Sequence, residues 1–188
     1  MMRNETVLGY THRAQHLMSV DQVRTVEQFY ASLRDESGRQ RDQRLMRSGK
    51  YVVHQGRLDP SVAANYSIDY LQKVRVELGA ERADSMMRLH LVPGMLHCRG
   101  GSGVDHFGGS GDTQAIGDAR HDVLSALVQW VEQGQVPKDI NDSRIESGRV
   151  MRQRPLCPYP QQAAHRGGDI NQADSCARAV VDEESQLR

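Results

Sequence analysis

Two short apolar runs, each closed by a turn and separated by one helix-length segment, constrain this chain more than any other feature. The first, "YVVHQGRLDP" (residues 51–60), reads as a buried strand stopped by Gly56 and the Leu-Asp-Pro turn; the second, "MMRLHLVPG" (residues 86–94), is a strand candidate stopped at Pro-Gly. Between them, residues 61–78 carry Ile68, Leu71 and Val74 at helical spacing, with Gly79 as the stop. A strand, a helix and a second strand in that order predict neighbouring parallel strands, hence an α/β fold. In such sheets, site residues gather beyond the carboxyl ends of the strands. Asp59 lies just past the first strand and His97 just past the second, so both loops are expected to open on one edge, with the Asp orienting the His.

Other segments read less sharply. Residues 19–34 predict a helix, with Ser19 and Gln22 at capping-box spacing and Val23, Val26, Phe29, Tyr30 and Leu33 on its period. A polar linker follows. Residues 99–111 form a glycine-rich loop, and residues 119–133 predict a helix whose stripe is Val123, Leu127, Trp130 and Val131, ended by Gly134. A brief strand is expected around "GRVMRQR" (residues 148–154). From Pro155 the chain is a Pro- and Gly-punctuated tail. His54 and His90, inside strands, and Trp130 read as structural.

Apolar residues make up 38% of the chain, below the roughly 45–50% usual for globular domains, so the core is expected to be thin. Mean hydropathy is −0.64. Lys plus Arg (24) balance Asp plus Glu (24), leaving no net field for nucleic acid or an anionic membrane. No run of about 18 apolar residues is present, and the opening residues lack the apolar segment of a signal peptide. Of the three cysteines, Cys157 and Cys176 sit in the tail, where a disulfide would contribute on the order of 3 kcal/mol. Cys98 is then left over, pointing to a partner outside the chain or to a free thiol. Disulfides imply an oxidising compartment.

An Asp followed by a His matches the last two members of the nucleophile–acid–base order of α/β-hydrolases. The first member is missing. No Gly-x-Ser-x-Gly elbow occurs; Ser102 and Ser110 fall after the His, and none of Ser19, Ser32, Ser37 and Ser48 has glycine on both sides or follows an apolar strand. Cys98 as a thiol nucleophile beside its own base is geometrically poor. His97, Cys98, Asp105 and His106 lack the paired spacing of a metal site, so neither metal nor cofactor is expected.

Three segments resemble the tannase and feruloyl esterase family of α/β-hydrolases. "YVVHQGRLDP" is similar to the family's strand and acid loop, and "LVPGMLHCRGG" (residues 91–101) resembles its base loop. "RPLCPYPQQAAHRGGDINQADSC" (residues 154–176) resembles its C-terminal signature, and residues 18–39 resemble part of its lid more faintly. The resemblance implies that His97 is the general base and Asp59 its orienting acid. It implies that Cys98 is half of a disulfide to a cysteine beside the nucleophile, absent here, and that Cys157 pairs with Cys176. The implied organisation is a lid-like remnant and linker (residues 1–46), the C-terminal part of the hydrolase core (residues 47–154) and a disulfide-stapled tail (residues 155–188). The implied activity is Ser-His-Asp hydrolysis of small-molecule phenolic-acid esters, in a secreted or periplasmic protein. This chain is expected to lack the nucleophile and to need a complementing N-terminal chain; the alternative is a non-catalytic remnant or binding module. The family's lid often carries calcium, but no matching acidic loop is present. Gln55, Arg57 and Leu96 stand where the family commonly has His, Trp and Gly.

Overall fold

In a computed structural model, residues 49–109 and 117–180 are described. The helix expected over residues 19–34, the lid-like remnant and Ser110 lie outside them.

The strand–helix–strand unit forms as expected. Strand β1 (Tyr51–Gly56) leads through the Asp59 turn into helix α1 (Ala64–Leu78), and β2 (Met87–Val92) returns parallel to β1. The register runs from Tyr51 opposite Met87 to Gly56 opposite Val92, so both strands end at the same level. The next backbone bonds, Arg57 N–H to the Val92 carbonyl and Leu58 N–H to the Met95 carbonyl (3.0 Å each), tie the two outgoing loops together. Leu71 and Val74, three apart, bury the inner face of α1. Gly79 (φ 81°) stops α1, and a seven-residue helix α2 (Ala80–Met86) intervenes before β2. That helix is too short for its period to register in the sequence. Asp84 on α2 accepts from Nε and Nη2 of Arg75 on α1 at 3.0 and 2.9 Å.

Strand alternation splits the neighbours of the parallel pair between two faces. Gln55 faces α1, where Ser67 meets it, while His54 faces Phe107 edge-on at 5.0 Å. Helix α3 (Val123–Gln133) lies on the second side; Lys50 and Arg88 stack over its Trp130 ring at 5.2 and 5.5 Å. Helices on both faces are the usual cover of a parallel sheet. Val92, Met95, Val104, Phe107, Ala126, Ile140 and Leu156 form one buried cluster.

Helix α3 starts four residues later than expected, because the Asp118 carboxylate turns residues 118–121 and the Asp122 carboxylate caps Ser125 N–H at 2.6 Å. Its buried stripe is also rotated. Ala126 and Trp130 are the buried residues and Val131 is exposed, so the small Ala126, which the stripe of larger apolar residues had passed over, lies on the buried face.

After α3 the chain departs further from the sequence reading. The brief strand is the second half of a hairpin, β3 (Ile140–Glu146) with β4 (Arg149–Leu156), turned by Ser147 and Gly148 at φ 50° and 74°. Positive φ at both turn residues matches the right-handed twist of a hairpin. β4 continues through residues 155 and 156, where the tail was expected to begin. A second hairpin joins β5 (Gln161–His165) to β6 (Cys176–Val180) across a short 3₁₀ turn (Ala173–Ser175).

The disulfide expected to staple the tail is not seen: Cys98, Cys157 and Cys176 are free thiols. Cys157 is buried, and burial first, then the Asp139 carboxylate, pushes its thiol up to about 12. The contacts that hold the tail are non-covalent. Tyr159 N–H donates to the Leu89 carbonyl on β2 (2.7 Å), Gln153 N–H to the Asn171 carbonyl (2.8 Å), and Arg178 forks onto Asp139 at 2.8–3.0 Å. His90, on β2, bonds the Leu156 carbonyl through Nδ1 (3.0 Å), and burial lowers it to about 4, so it is a neutral core histidine as expected.

Candidate active site

Asp59 and His97 meet. The His97 Nδ1 to Asp59 Oδ2 distance is 2.7 Å, across the shared edge where β1 and β2 end. The Asp59 side chain is 2% exposed and the His97 side chain 59% exposed. Burial alone would raise the Asp59 carboxyl. The backbone N–H groups of Val62 and Ser61, the His97 ring and the Gln55 amide outweigh it and hold the carboxyl at about 2. An ionised carboxylate can only accept, so Nδ1 carries the proton and the neutral ring keeps its lone pair on Nε2. Among the described residues, Nε2 has no hydrogen-bond partner. That is the state a general base needs: acid buried, ring oriented, reactive nitrogen open.

The contact depends on a close approach of backbones. A Cβ on Gly56 would stand 2.2 Å from the Leu96 carbonyl oxygen and 2.5 Å from that of Met95, so only glycine lets the base loop lie against the end of β1. The loop itself is fastened from the far side by β3. Arg144 donates to the Gly101 carbonyl (2.7 Å), Asp105 and His106 N–H to the Ser143 carbonyl (3.1 and 3.0 Å), and His106 N–H also to Asp142 Oδ1 (2.8 Å). Asp105 Oδ2 accepts from Gly100 N–H at 2.8 Å. Cys98 is exposed and sits in the left-handed region (φ 64°), a conformation costing about 1–2 kcal/mol in a non-glycine residue.

Two further Asp–His contacts occur among the described residues, Asp105–His106 at 2.8 Å and Asp118–His121 at 2.9 Å. Both are local, between residues one and three apart, and both rings are mostly covered, at 21% and 24% exposure. Neither joins two strand ends. The four residues weighed as metal ligands are divided between the Asp59–His97 pair, the Asp105–His106 pair and the Cys98 turn, and no group of three or more His, Cys, Asp or Glu side chains is placed to hold a metal among the described residues. Ser102 is exposed on the base loop, and the His97 ring bonds Asp59 rather than this hydroxyl among the described residues.

The sequence reading named Gln55 only as a departure from the family pattern and missed Asp142 and Arg144. A polar side chain near the end of an apolar strand was the available signal for Gln55. For Asp142 and Arg144 no local signal existed, because β3 was not read as a strand.

The model of the family described as tannase and feruloyl esterase matches residues 42–179. Mono(2-hydroxyethyl) terephthalate hydrolase of Piscinibacter sakaiensis is 38% identical over 129 residues, covering 66% of this chain and 19% of the relative. A protein named probable feruloyl esterase from Arthroderma benhamiae is 34% identical over 140 residues, covering 71% of this chain and 24% of the relative. The crystal structure of feruloyl esterase B from Aspergillus oryzae superposes with a TM-score of 0.66 at 26% identity, over 71% of this chain and 27% of that one. The chain thus spans about a fifth to a quarter of the proteins it matches, and its α/β arrangement is shared with esterases of the α/β-hydrolase type.

Proposed function

From this chain's membership of the tannase and feruloyl esterase family we infer that it supplies the acid and base of a carboxylic ester hydrolase, with the nucleophilic serine contributed by polypeptide outside these 188 residues. The 2.7 Å contact between His97 and Asp59 carries the reading. In the complete site, His97 Nε2 removes the proton as the serine hydroxyl attacks the ester carbonyl, and Asp59 stabilises the resulting imidazolium. His97 then returns the proton to the departing alcohol. A water molecule, deprotonated by the same nitrogen, releases the acid from the acyl-enzyme. The substrates are esters of phenolic acids, in keeping with the feruloyl esterases among the relatives.

Support for a contributed nucleophile is twofold: no Gly-x-Ser-x-Gly motif occurs in the sequence, and three quarters or more of each relative lies outside the match. Among the described residues β2 is the one strand laddered to β1, which suits a sheet continued by another polypeptide. The test mixes this chain with the segment of the Piscinibacter relative that precedes the matched region and assays a chromogenic feruloyl ester. Hydrolysis that needs both partners, and that disappears with His97→Ala, is the expected result. Stoichiometric labelling of this chain alone by a fluorophosphonate would show a serine nucleophile of its own and overturn the reading; so would a mixture that forms a complex but hydrolyses nothing.

A further inference from the structure

Gln55 occupies a junction that its place in an apolar strand does not explain. Its Nε2 donates to Asp59 Oδ2 at 3.0 Å and to the Val62 carbonyl at 3.1 Å, with the Gly56 carbonyl at 3.4 Å. Its Oε1 accepts from the Ser67 hydroxyl on α1 at 3.3 Å. This orientation of the amide follows from chemistry. A carboxylate and two carbonyls can only accept, so the NH₂ must face them, and the hydroxyl is the one neighbour able to donate to the oxygen. Gln55 therefore ties β1, the Asp59 turn and the first half of α1 together through one side chain.

The two oxygens of Asp59 are held differently. Oδ1 is fixed by the backbone N–H groups of Ser61 and Val62 at 2.8 and 3.0 Å. Oδ2 has two side-chain donors, His97 Nδ1 and Gln55 Nε2. With only the backbone pair and a surface-exposed ring as partners, the carboxylate could rotate and tilt Oδ2 away from the ring. The amide gives Oδ2 a second, half-buried anchor that does not depend on His97.

We propose that Gln55 is a positioning residue that aims Asp59 Oδ2 at His97 Nδ1 and thereby keeps the neutral ring in its Nδ1–H form. The proposal rests on the reading of His97 as general base, because Nδ1–H is the form that leaves Nε2 able to accept a proton. Which ring nitrogen carries the proton is set by the bond the other makes, so a less well aimed carboxylate releases the ring to the Nε2–H form that a free neutral imidazole favours.

The experiment reads the His97 tautomer directly, in the full chain labelled with ¹⁵N histidine, by long-range ¹H–¹⁵N correlation of the neutral ring. The native chain is expected to show Nδ1–H. Gln55→Met keeps the length of the side chain and removes its donors, and is expected to lower the Nδ1–H share at least twofold. Ser67→Ala removes the hydroxyl behind the amide without touching Asp59 or His97, and is expected to shift the share less, in the same direction; it decides the matter if Gln55→Met fails to fold. An unchanged Nδ1–H share in the folded variants, or an Nε2–H ring in the native chain, overturns the proposal. The two readings fail separately. A tautomer shift in a chain that supports no ester hydrolysis when complemented would sink the catalytic reading alone, whereas full hydrolysis with an unmoved tautomer in Gln55→Met would sink only the role of Gln55.

Discussion

Two buried aspartates brace the base loop from opposite sides, and they end in opposite charge states. Asp59, beneath the ring of His97, receives two backbone N–H groups, the His97 ring and the Gln55 amide, and stays ionised down to about 2. Asp142, on β3, is 0% exposed, and its Oδ2 has no hydrogen-bond partner among the described residues. Burial first raises its carboxyl to about 8; the bonds from His106 and Ser143 N–H only soften that, and the nearby Asp105 charge adds to it. Asp142 lies deeper, and it is also met by fewer donors: a carboxylate survives burial when its lone pairs are met, and takes up a proton when they are not. One aspartate is thereby equipped to stabilise a cation, and the other is an uncharged brace.

The sharpest way to break this contrast is to remove the charge from each in turn. In Asp59→Asn the amide oxygen must stay with the Ser61 and Val62 N–H groups, which places the NH₂ opposite His97 Nδ1 and Gln55 Nε2. The ring then accepts on Nδ1 and carries its proton on Nε2, the wrong form for a base. Esterase activity of the complemented enzyme is expected to fall about 10³–10⁴-fold in kcat, as for loss of the orienting acid in other hydrolases with such triads. A loss under tenfold would mean that Asp59 orients nothing.

Asp142→Asn should act on stability, with the pH dependence reversed. The folded chain keeps the Asp142 proton to about 8, whereas the unfolded chain releases it near 3.8, so the native protein loses stability as pH rises through that window. Asn has no proton to lose. The variant is expected to fall about 1–2 kcal/mol below the native chain near pH 4, for one unmet amide hydrogen, and to exceed it by about 2–4 kcal/mol at pH 8. Urea titrations at the two pH values measure this, and parallel curves would contradict an uncharged Asp142.

Gly56→Ala tests the Asp59 side of the brace without altering a charge. Its Cβ meets two loop carbonyl oxygens at 2.2 and 2.5 Å, so the loop must retreat, costing about 1–3 kcal/mol and lowering the urea midpoint at unchanged slope. This glycine also shows what was legible in the sequence. The strand–helix–strand order placed Asp59 and His97 on one edge because a parallel pair with one intervening helix leaves few alternatives, and the register confirmed it. What stayed hidden depended on contacts distant in sequence. β3 is written "INDSRIE", a poor strand by composition, since Asp142, Ser143 and Arg144 are spent on the base loop about 40 residues upstream. The tail differs in another way: two cysteines in a Pro- and Gly-rich segment suggested a staple, whereas the contacts seen there are a hairpin ladder and the Arg178–Asp139 pair.

A third aspartate calibrates the other two. Asp122 caps α3 through a 2.6 Å bond to Ser125 N–H and touches neither the base loop nor His97. If the effects at Asp59 and Asp142 arise from the charge each carries at its own site, replacing Asp122 should give only the ordinary cost of a lost cap. Asp122→Ala is expected to destabilise by about 1 kcal/mol at pH 8, and to leave the His97 tautomer and the activity of the complemented enzyme unchanged. The readout is the urea titration at pH 8. A cost well above that of a lost cap, or any fall in kcat, would show that losing an acidic side chain near this sheet is enough to disturb the site, and the contrast between Asp59 and Asp142 would then need no difference in hydrogen bonding to explain it.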